Sequence, residues 1–482
     1  MARPGTVINV LDATPPRSAP VGVDAWFITG IFPQGPLTPT LVRGMTELED
    51  IFGERDGANP IAYDSAEVFF REGGSRMYIG RVVGPAAAVA STANLMDAAG
   101  TPVASIKVSA KDPGLLANSW KVDVIPGANA SEKIVVLKDG DGNELERSVS
   151  GDKLGLVGQS SMLSKMAITS AGAGGLPDDI TDAAMTGGAS DEANATDTEW
   201  QGALDTFNAD LGPGQVSAPG RTTPEAHTAL RDHAFANNRI ALLDATNGAD
   251  KGTLIAAANA NRTASGSTSR FAALFAPWAH VPGVVPNTLR TVPYSAVQAG
   301  MMARVTNPNQ AVAGVNGRSM YAVDLVSPPW TDQDREDLND AGVNIARIMF
   351  DGIRTYGYRS LADPVSYSQW VQLSAVRLFM EIKAKCSEVL ERHVFAQMDG
   401  QGSEFSALNG DLKGAIAPYW QPMGALYGEV SEQAFRVDTG SAVNPPADVA
   451  LGILRARVSL RVSPFAEVVI LDLVNHRITE AL

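Results

Sequence analysis

Hydrophobic and polar positions alternate most clearly near the end of the chain. Over residues 453–462, Ile453, Arg455, Arg457, Ser459 and Arg461 fall on one face, and Leu454, Ala456, Val458, Leu460 and Val462 on the other. That period of two predicts a half-buried strand. After Ser463-Pro464, residues 465–474 are nearly all apolar, as expected for a strand buried on both faces. A strongly β-forming pair offers sheet edges that must be covered, blunted or paired with another molecule. At the other end, residues 6–11 read as a short strand, followed by an exit through Pro15, Pro16 and Pro20. This arm holds too little apolar surface to fold alone.

Between the two ends the periodicity predicts alternating strands and helices. Residues 25–29 read as a strand, 46–52 as a helix with a Thr46/Glu49 capping box, and 61–72 as an amphipathic helix ended by Gly73-Gly74. Residues 76–83 form the next strand. A composition change follows over 95–199, where Lys107, Lys121, Lys133 and Lys138 accompany short Val/Ile runs. This predicts an inserted β-rich module. Its tail continues into 166–220, a stretch with no Lys or Arg and nine acidic residues, which reads as loop and surface. Trp200, Leu204, Phe207 and Leu211 then mark one face of a helix. Beyond Gly214, strands at 215–218, 239–244, 270–275 and 346–350 alternate with helices at 223–237, 251–261, 295–305 and 331–341. Such alternation favours a sheet with helices on both faces. A helix over 369–397 carries a core stripe of Val371, Leu373, Val376, Phe379, Met380 and Ile382.

The fold class is therefore an α/β (α+β) core with helices packed on a mixed sheet, an inserted β-rich domain, and extended N- and C-terminal β-arms. The expected divisions are an arm at 1–20, a first core part at 21–94, an outer domain at 95–199, a second core part at 200–361, and a C-terminal subdomain with its terminal strand at 362–482.

Composition narrows the partners. The 482 residues are 45% hydrophobic and 19% charged, an ordinary globular balance with room for two or more domains. A formal net charge of −15 opposes general nucleic-acid binding, which requires a basic surface. Cys386 is the only cysteine, so no intrachain disulfide is possible, and it is expected to be a small buried residue. Neither a secretory apolar run nor the ~18–20 apolar residues of a membrane span is present, predicting a protein made in a cytoplasm and not inserted in a membrane.

Catalytic patterns are not found. His227 and His233 lie six apart on one predicted helix, not on one face, and are expected at the surface. Asp139, Asp141 and Asn143 open like a calcium loop, but Glu144 and Ser150 occupy the positions that require Gly and Glu, so a β-turn is expected. Residues 248–253 lack P-loop spacing, and no G-x-S-x-G elbow exists. No catalytic, metal or cofactor residue is assigned, and no cofactor is expected.

A series of motifs resembles the sheath proteins of contractile phage tails and related injection machines. Residues 434–438 (AFRVD), Asn444-Pro445-Pro446 and 464–469 (PFAEVV) are similar to that family's closing segments. Residues 30–36, 73–83, 216–220, 276–278, 290–295, 299–304, 338–344 (LNDAGVN) and 352–361 (GIRTYGYRSL) resemble its core motifs, in the family's order. Tyr356 stands for the usual Trp, Tyr358 for Ala, and 437–438 lack the frequent Cys; the inserted module has no match.

The resemblance implies a helical homo-oligomer of stacked hexameric rings around an inner tail tube protein, meeting baseplate and tail terminator proteins. Contraction would drive the tube through the host envelope for genome ejection, from a virion tail assembled in the host cytoplasm. It implies inter-subunit strand exchange through Thr6, Val7, Ile8, Asn9 and Val10 of the N-terminal arm, and through Val468, Val469, Ile470, Leu471 and Leu473. Arg455, Arg457 and Arg461 are candidates for contacts with a neighbour or the tube, or form a solvated strand face. The alternatives are the sheath of a non-phage injection particle, an adhesin or capsid-type protein, and an α/β enzyme with an unrecognised site.

Overall fold

A computed structural model describes residues 22–467, except 56, 58, 59, 91, 93, 94, 158–166, 266 and 327–329. Eight strands build the central sheet: β1 Trp26–Ile31, β2 Thr40–Val42, β3 Met77–Val82, β4 Gly214–Ser217, β5 Arg239–Asp244, β6 Ala272–Ala276, β7 Val343–Met349 and β8 Gly352–Thr355. Their spatial order is β8-β7-β6-β5-β4-β1-β3-β2. The six inner strands are parallel, and the two outermost are antiparallel to their neighbours. β3, β5 and β6 are buried at every position, the consequence of a parallel sheet covered on both faces.

The cover is helical. α1 (Met45–Phe52), α2 (Pro60–Arg71) and α6 (Tyr294–Arg304) form one group, in which α2 packs on α6. α3 (Asp197–Asp205), α4 (Pro224–Ala236), α5 (Lys251–Ser265) and α7 (Asp332–Asp340) form a chain of neighbours. The α2 stop is the expected one. Gly73 takes φ +104°, and Gly74 N–H donates to Phe69 O at 2.9 Å, closing the last turn.

Between β3 and α3 the chain builds a separate β-rich module. Ile180–Ala184, Lys121–Pro126, Lys133–Lys138 and Glu144–Arg147 form one antiparallel sheet; Leu95–Met96, Ala104–Ala110 and Ala167–Ala171 form another. Val108, Val122, Val124, Val135 and Leu137 are buried in a core of their own. Asp139 is a turn residue, its carboxylate accepting from Asn143 N–H at 2.7 Å. A third core joins α8 (Leu373–Glu391) to α9 (Ser403–Trp420).

Several expectations need correction. α1 begins at Met45 with Gly44 as N-cap, so Glu47 rather than Glu49 reaches back, accepting from Arg43 N–H at 2.7 Å. Residues 167–171 and 180–184 are strands despite their Gly/Ala-rich setting, because neighbouring strands supply their pairing. The helix expected to hold Phe207 and Leu211 ends at Asp205, though Phe207 is still buried. The 369–397 helix is shorter, with a 3-10 turn at Ser368–Trp370 in front of it. Cys386 is half-buried.

The largest correction concerns the histidines. His227 and His233 are buried, because α4 is packed by α3, α5 and the sheet together. His227 Nε2 lies 3.1 Å from Asp244 O, and His233 Nε2 lies 2.7 Å from Arg239 Nη1. Burial holds His227 down to about 4 and His233 down to about 3, the Arg239 charge adding to the latter. Both therefore stay neutral at ordinary pH, and His233 accepts from Arg239.

Three buried arginines fasten the joints. Arg239 donates to Phe207 O at 2.7 Å, Asn208 O at 2.6 Å and Gly212 O at 3.3 Å, securing the return from the inserted module. Arg81 donates to Phe32 O, Gly35 O and Pro113 O, tying β3 to that module's loop. Arg377 of α8 donates to Met302 O at 2.7 Å and to Val305 O, joining the third core to the end of α6.

Two tests follow from these buried groups. Arg239→Met leaves three carbonyls without donors and should lower stability by about 3 kcal/mol or more, measured by urea unfolding. The pH response combines three groups, since burial also pushes Asp244 up to about 6. Between about pH 6 and 4 the unfolded chain holds two histidine protons that the native state lacks, while native Asp244 holds one that the unfolded chain lacks. These three groups together lower stability by about 1.4 kcal/mol per pH unit on acidification, and His233→Gln should make the measured slope shallower by about that amount.

Candidate functional site

The alternating run predicted near the C-terminus folds as half of a two-stranded sheet. β9 (Phe435–Asp438) pairs antiparallel with β10 (Arg457–Leu460), matching Phe435 with Leu460 and Asp438 with Arg457. The apolar face points inward, where Leu454, Ala456, Val458, Leu460 and Val462 pack on the core of Leu408, Leu412 and Ile416. Arg455, Arg457, Ser459 and Arg461 are exposed. The period-two reading therefore holds, over a regular strand shorter than 453–462. At its start Asn444 stands in for a partner strand: Oδ1 accepts from Arg455 N–H at 2.7 Å and Nδ2 donates to Arg455 O at 2.8 Å.

The two edges of this sheet differ. Arg461 N–H donates to Ala434 O at 2.9 Å, and Arg461 O accepts from Tyr427 N–H at 2.7 Å, so the flanking chain extends pairing on the β9 side. Backbone groups alternate sides along a strand. Ala456, Val458 and Leu460 thus direct their N–H and C=O groups the other way, where no described residue hydrogen-bonds them. The outer side of β9 is guarded instead: Asn409 of α9 donates to Val437 O at 3.0 Å. β10 carries the open edge.

Solved structures share this architecture. The chain resembles a sheath tail protein from Listeria innocua at TM-score 0.63 and 12% identity, covering 87% of this chain and 89% of that one. It resembles the contracted helical sheath of the anti-feeding prophage at TM-score 0.55 and 16% identity, covering 98% and 99%. The contracted sheath complex of an extracellular contractile injection system aligns at TM-score 0.55 and 14% identity, covering 98% of both chains. The fold is that of a contractile tail sheath protein. No family model matches the chain, and no curated protein sequence does.

Within this sheath fold the predicted interface residues fare differently. Thr6–Val10 and the 468–473 positions lie outside the described residues. Arg455 pairs with Asp448, leaving its side chain 52% exposed. Arg457 and Arg461 form no ion pair among the described residues and share an exposed face with Arg436. Asn409 and Asn444, which define the edges, were not singled out as functional; the Asn444-Pro445-Pro446 motif was the available signal.

Other clusters of the sheath fold are structural. Asp244 accepts from Ser295 N–H at 2.9 Å, Ser295 Oγ at 2.7 Å and Gly220 N–H at 3.2 Å, joining β5 to the start of α6. His227 meets the carbonyl of Asp244 rather than its carboxylate or Ser295, so the three do not form a catalytic relay. A cleft of about 590 Å³ between α3 and α4 is lined by Gln201, Asp205, Glu225, Asp232, His233 and Asn237. The hydroxyl in that lining, Thr228 Oγ1, donates to Pro224 O at 2.8 Å. Among the described residues no group of three His, Cys, Asp or Glu could hold a metal, and no helix is long and apolar enough to cross a membrane.

Since Arg457 and Arg461 form no ion pair among the described residues, Arg457→Ala and Arg461→Ala should each change monomer stability by less than about 0.5 kcal/mol in thermal unfolding.

Proposed function

We propose that this chain is a sheath subunit that polymerises through the open β10 edge. The observation carrying this reading is an edge strand with no hydrogen-bond partner among the described residues, within a sheath fold. A terminal strand from another copy would add beside Ala456, Val458 and Leu460, with backbone hydrogen bonds giving affinity and alternate side chains giving register. The donor strands are residues 6–10 and 468–473. Donor and acceptor are different surfaces, so the contact is heterologous and propagates instead of closing as a dimer. The product is a set of stacked hexameric rings around an inner tube, bounded by baseplate and terminator proteins.

Strand links act as hinges that persist while subunits rotate outward. Contraction then releases free energy through larger contacts and drives the tube through an envelope, for genome ejection from a phage tail. The role is structural, not catalytic. Residues 95–199 serve as the outer module, and the exposed arginines are available to a neighbour or the tube. A second reading, the sheath of a non-phage injection particle, is favoured by the 98% alignment to contracted injection sheaths.

Purified protein should form rings or tubes in negative stain, and deletion of residues 1–20 should abolish them while the fold persists. Amide exchange provides the sharper test. Val458 and Leu460 amides should exchange quickly in the monomer and slowly in the polymer, whereas Ser459, already paired to β9, is protected in both. Equal protection in both states at Val458 and Leu460 would sink the edge assignment.

A further inference from the structure

Past β10 the chain does not leave from the C-terminal sheet. Phe465 N–H donates to Gln372 Oε1 at 3.1 Å, and Gln372 Nε2 donates to Phe465 O at 3.0 Å, so one primary amide reads residue 465 as a partner strand would. Two residues on, Glu467 Oε2 accepts from Arg359 Nη2 at 2.6 Å and Nε at 3.2 Å. The other Glu467 oxygen lies 3.4 Å from Gln372 Nε2.

Arg359 is itself held by the core. Its N–H donates to Asn344 Oδ1 at 2.7 Å, and its Nη1 donates to Asn339 O at 3.1 Å. Asn344 is a buried residue of β7 whose Nδ2 donates to Leu274 O at 3.2 Å. The chain at 465–467 is thus fastened to Gln372, the N-cap of α8, and through Arg359 to the β7 side of the central sheet.

We propose that Gln372, Arg359 and Glu467 form a departure clamp for the C-terminal arm. They are positioning residues: they set the point and direction from which residues beyond 467 leave, and hence the length of the connector to the next subunit. The proposal rests on the sheath reading. Opening the clamp frees residues 464–467, which lengthens the connector's reach by up to about 13 Å in extended chain. The Arg359 and Glu467 side chains are 22% and 39% exposed, so the ion pair is screened by salt and contributes little to folding. Its geometric effect is therefore separable from stability.

The test is the full-length double variant Gln372→Ala/Glu467→Ala, with Glu467→Gln as a milder version that keeps the side-chain shape. Three readouts apply: the melting temperature of the monomer, proteolysis within 463–467, and the helical rise and twist of polymers measured by electron cryomicroscopy. The expected result is a melting temperature within about 2 °C of the parent, several-fold faster cleavage at 463–467, and polymers with altered or dispersed rise and twist. A folded variant that no longer polymerises also supports the clamp, because the β10 edge is untouched. Unchanged cleavage together with unchanged, uniform helical parameters overturns it. If the parent protein forms no polymer, the sheath reading fails instead, and the cleavage rate alone still decides whether the clamp holds residues 464–467.

Discussion

The controlling constraint is the burial of six parallel strands on both faces. No parallel neighbour can be reached by a tight turn, so every step from β3 to β7 requires a crossover, and the crossovers supply the helices that cover the sheet. Such a crossover can also accept extra chain without disturbing the sheet. The β-rich module occupies the one between β3 and β4, where Arg81 and Arg239 anchor its exit and return through backbone carbonyls. Guanidinium groups suit this task because five fixed donors can satisfy several carbonyls at once in a buried site.

The small C-terminal sheet obeys the opposite logic. Its strands have one buried face, so their backbone edge is free to face outward. Apolar residues at alternate positions fix the register, since a slip of one residue would expose Val458 and Leu460 and bury Arg457. The arginines on the outer face also oppose indiscriminate edge-to-edge association, the hazard of any unpaired strand. One strand thus combines a closed side chain pattern with an open backbone.

Much of this was legible in the order of residues. The helices and strands of the core were placed within a few positions, because their apolar periodicity, capping threonines and glycine stops are local signals. Thr223 and Thr331, the first residues of two expected helices, cap α4 and α7, whereas the cap expected at Thr46 falls at Gly44. The errors share a cause. His227 and His233 looked like surface residues because a single helix has no record of how many sides its neighbours will cover. The strands at 167–171 and 180–184 carry little hydrophobic pattern of their own and exist because of the strands beside them.

The sequence by itself determined the period-two face of β10, the α/β alternation and the interruption over 95–199, since each depends on residues within a few positions of one another. It also contained the Arg359 and Glu467 segments as separate motifs. Only the tertiary structure decided that these two meet, that Asn409 guards one sheet edge, and that the β10 edge is the one without a partner among the described residues. Those outcomes depend on contacts between residues from 28 to 108 positions apart, and hydrogen-bond partners at that range are set by packing, not by local pattern.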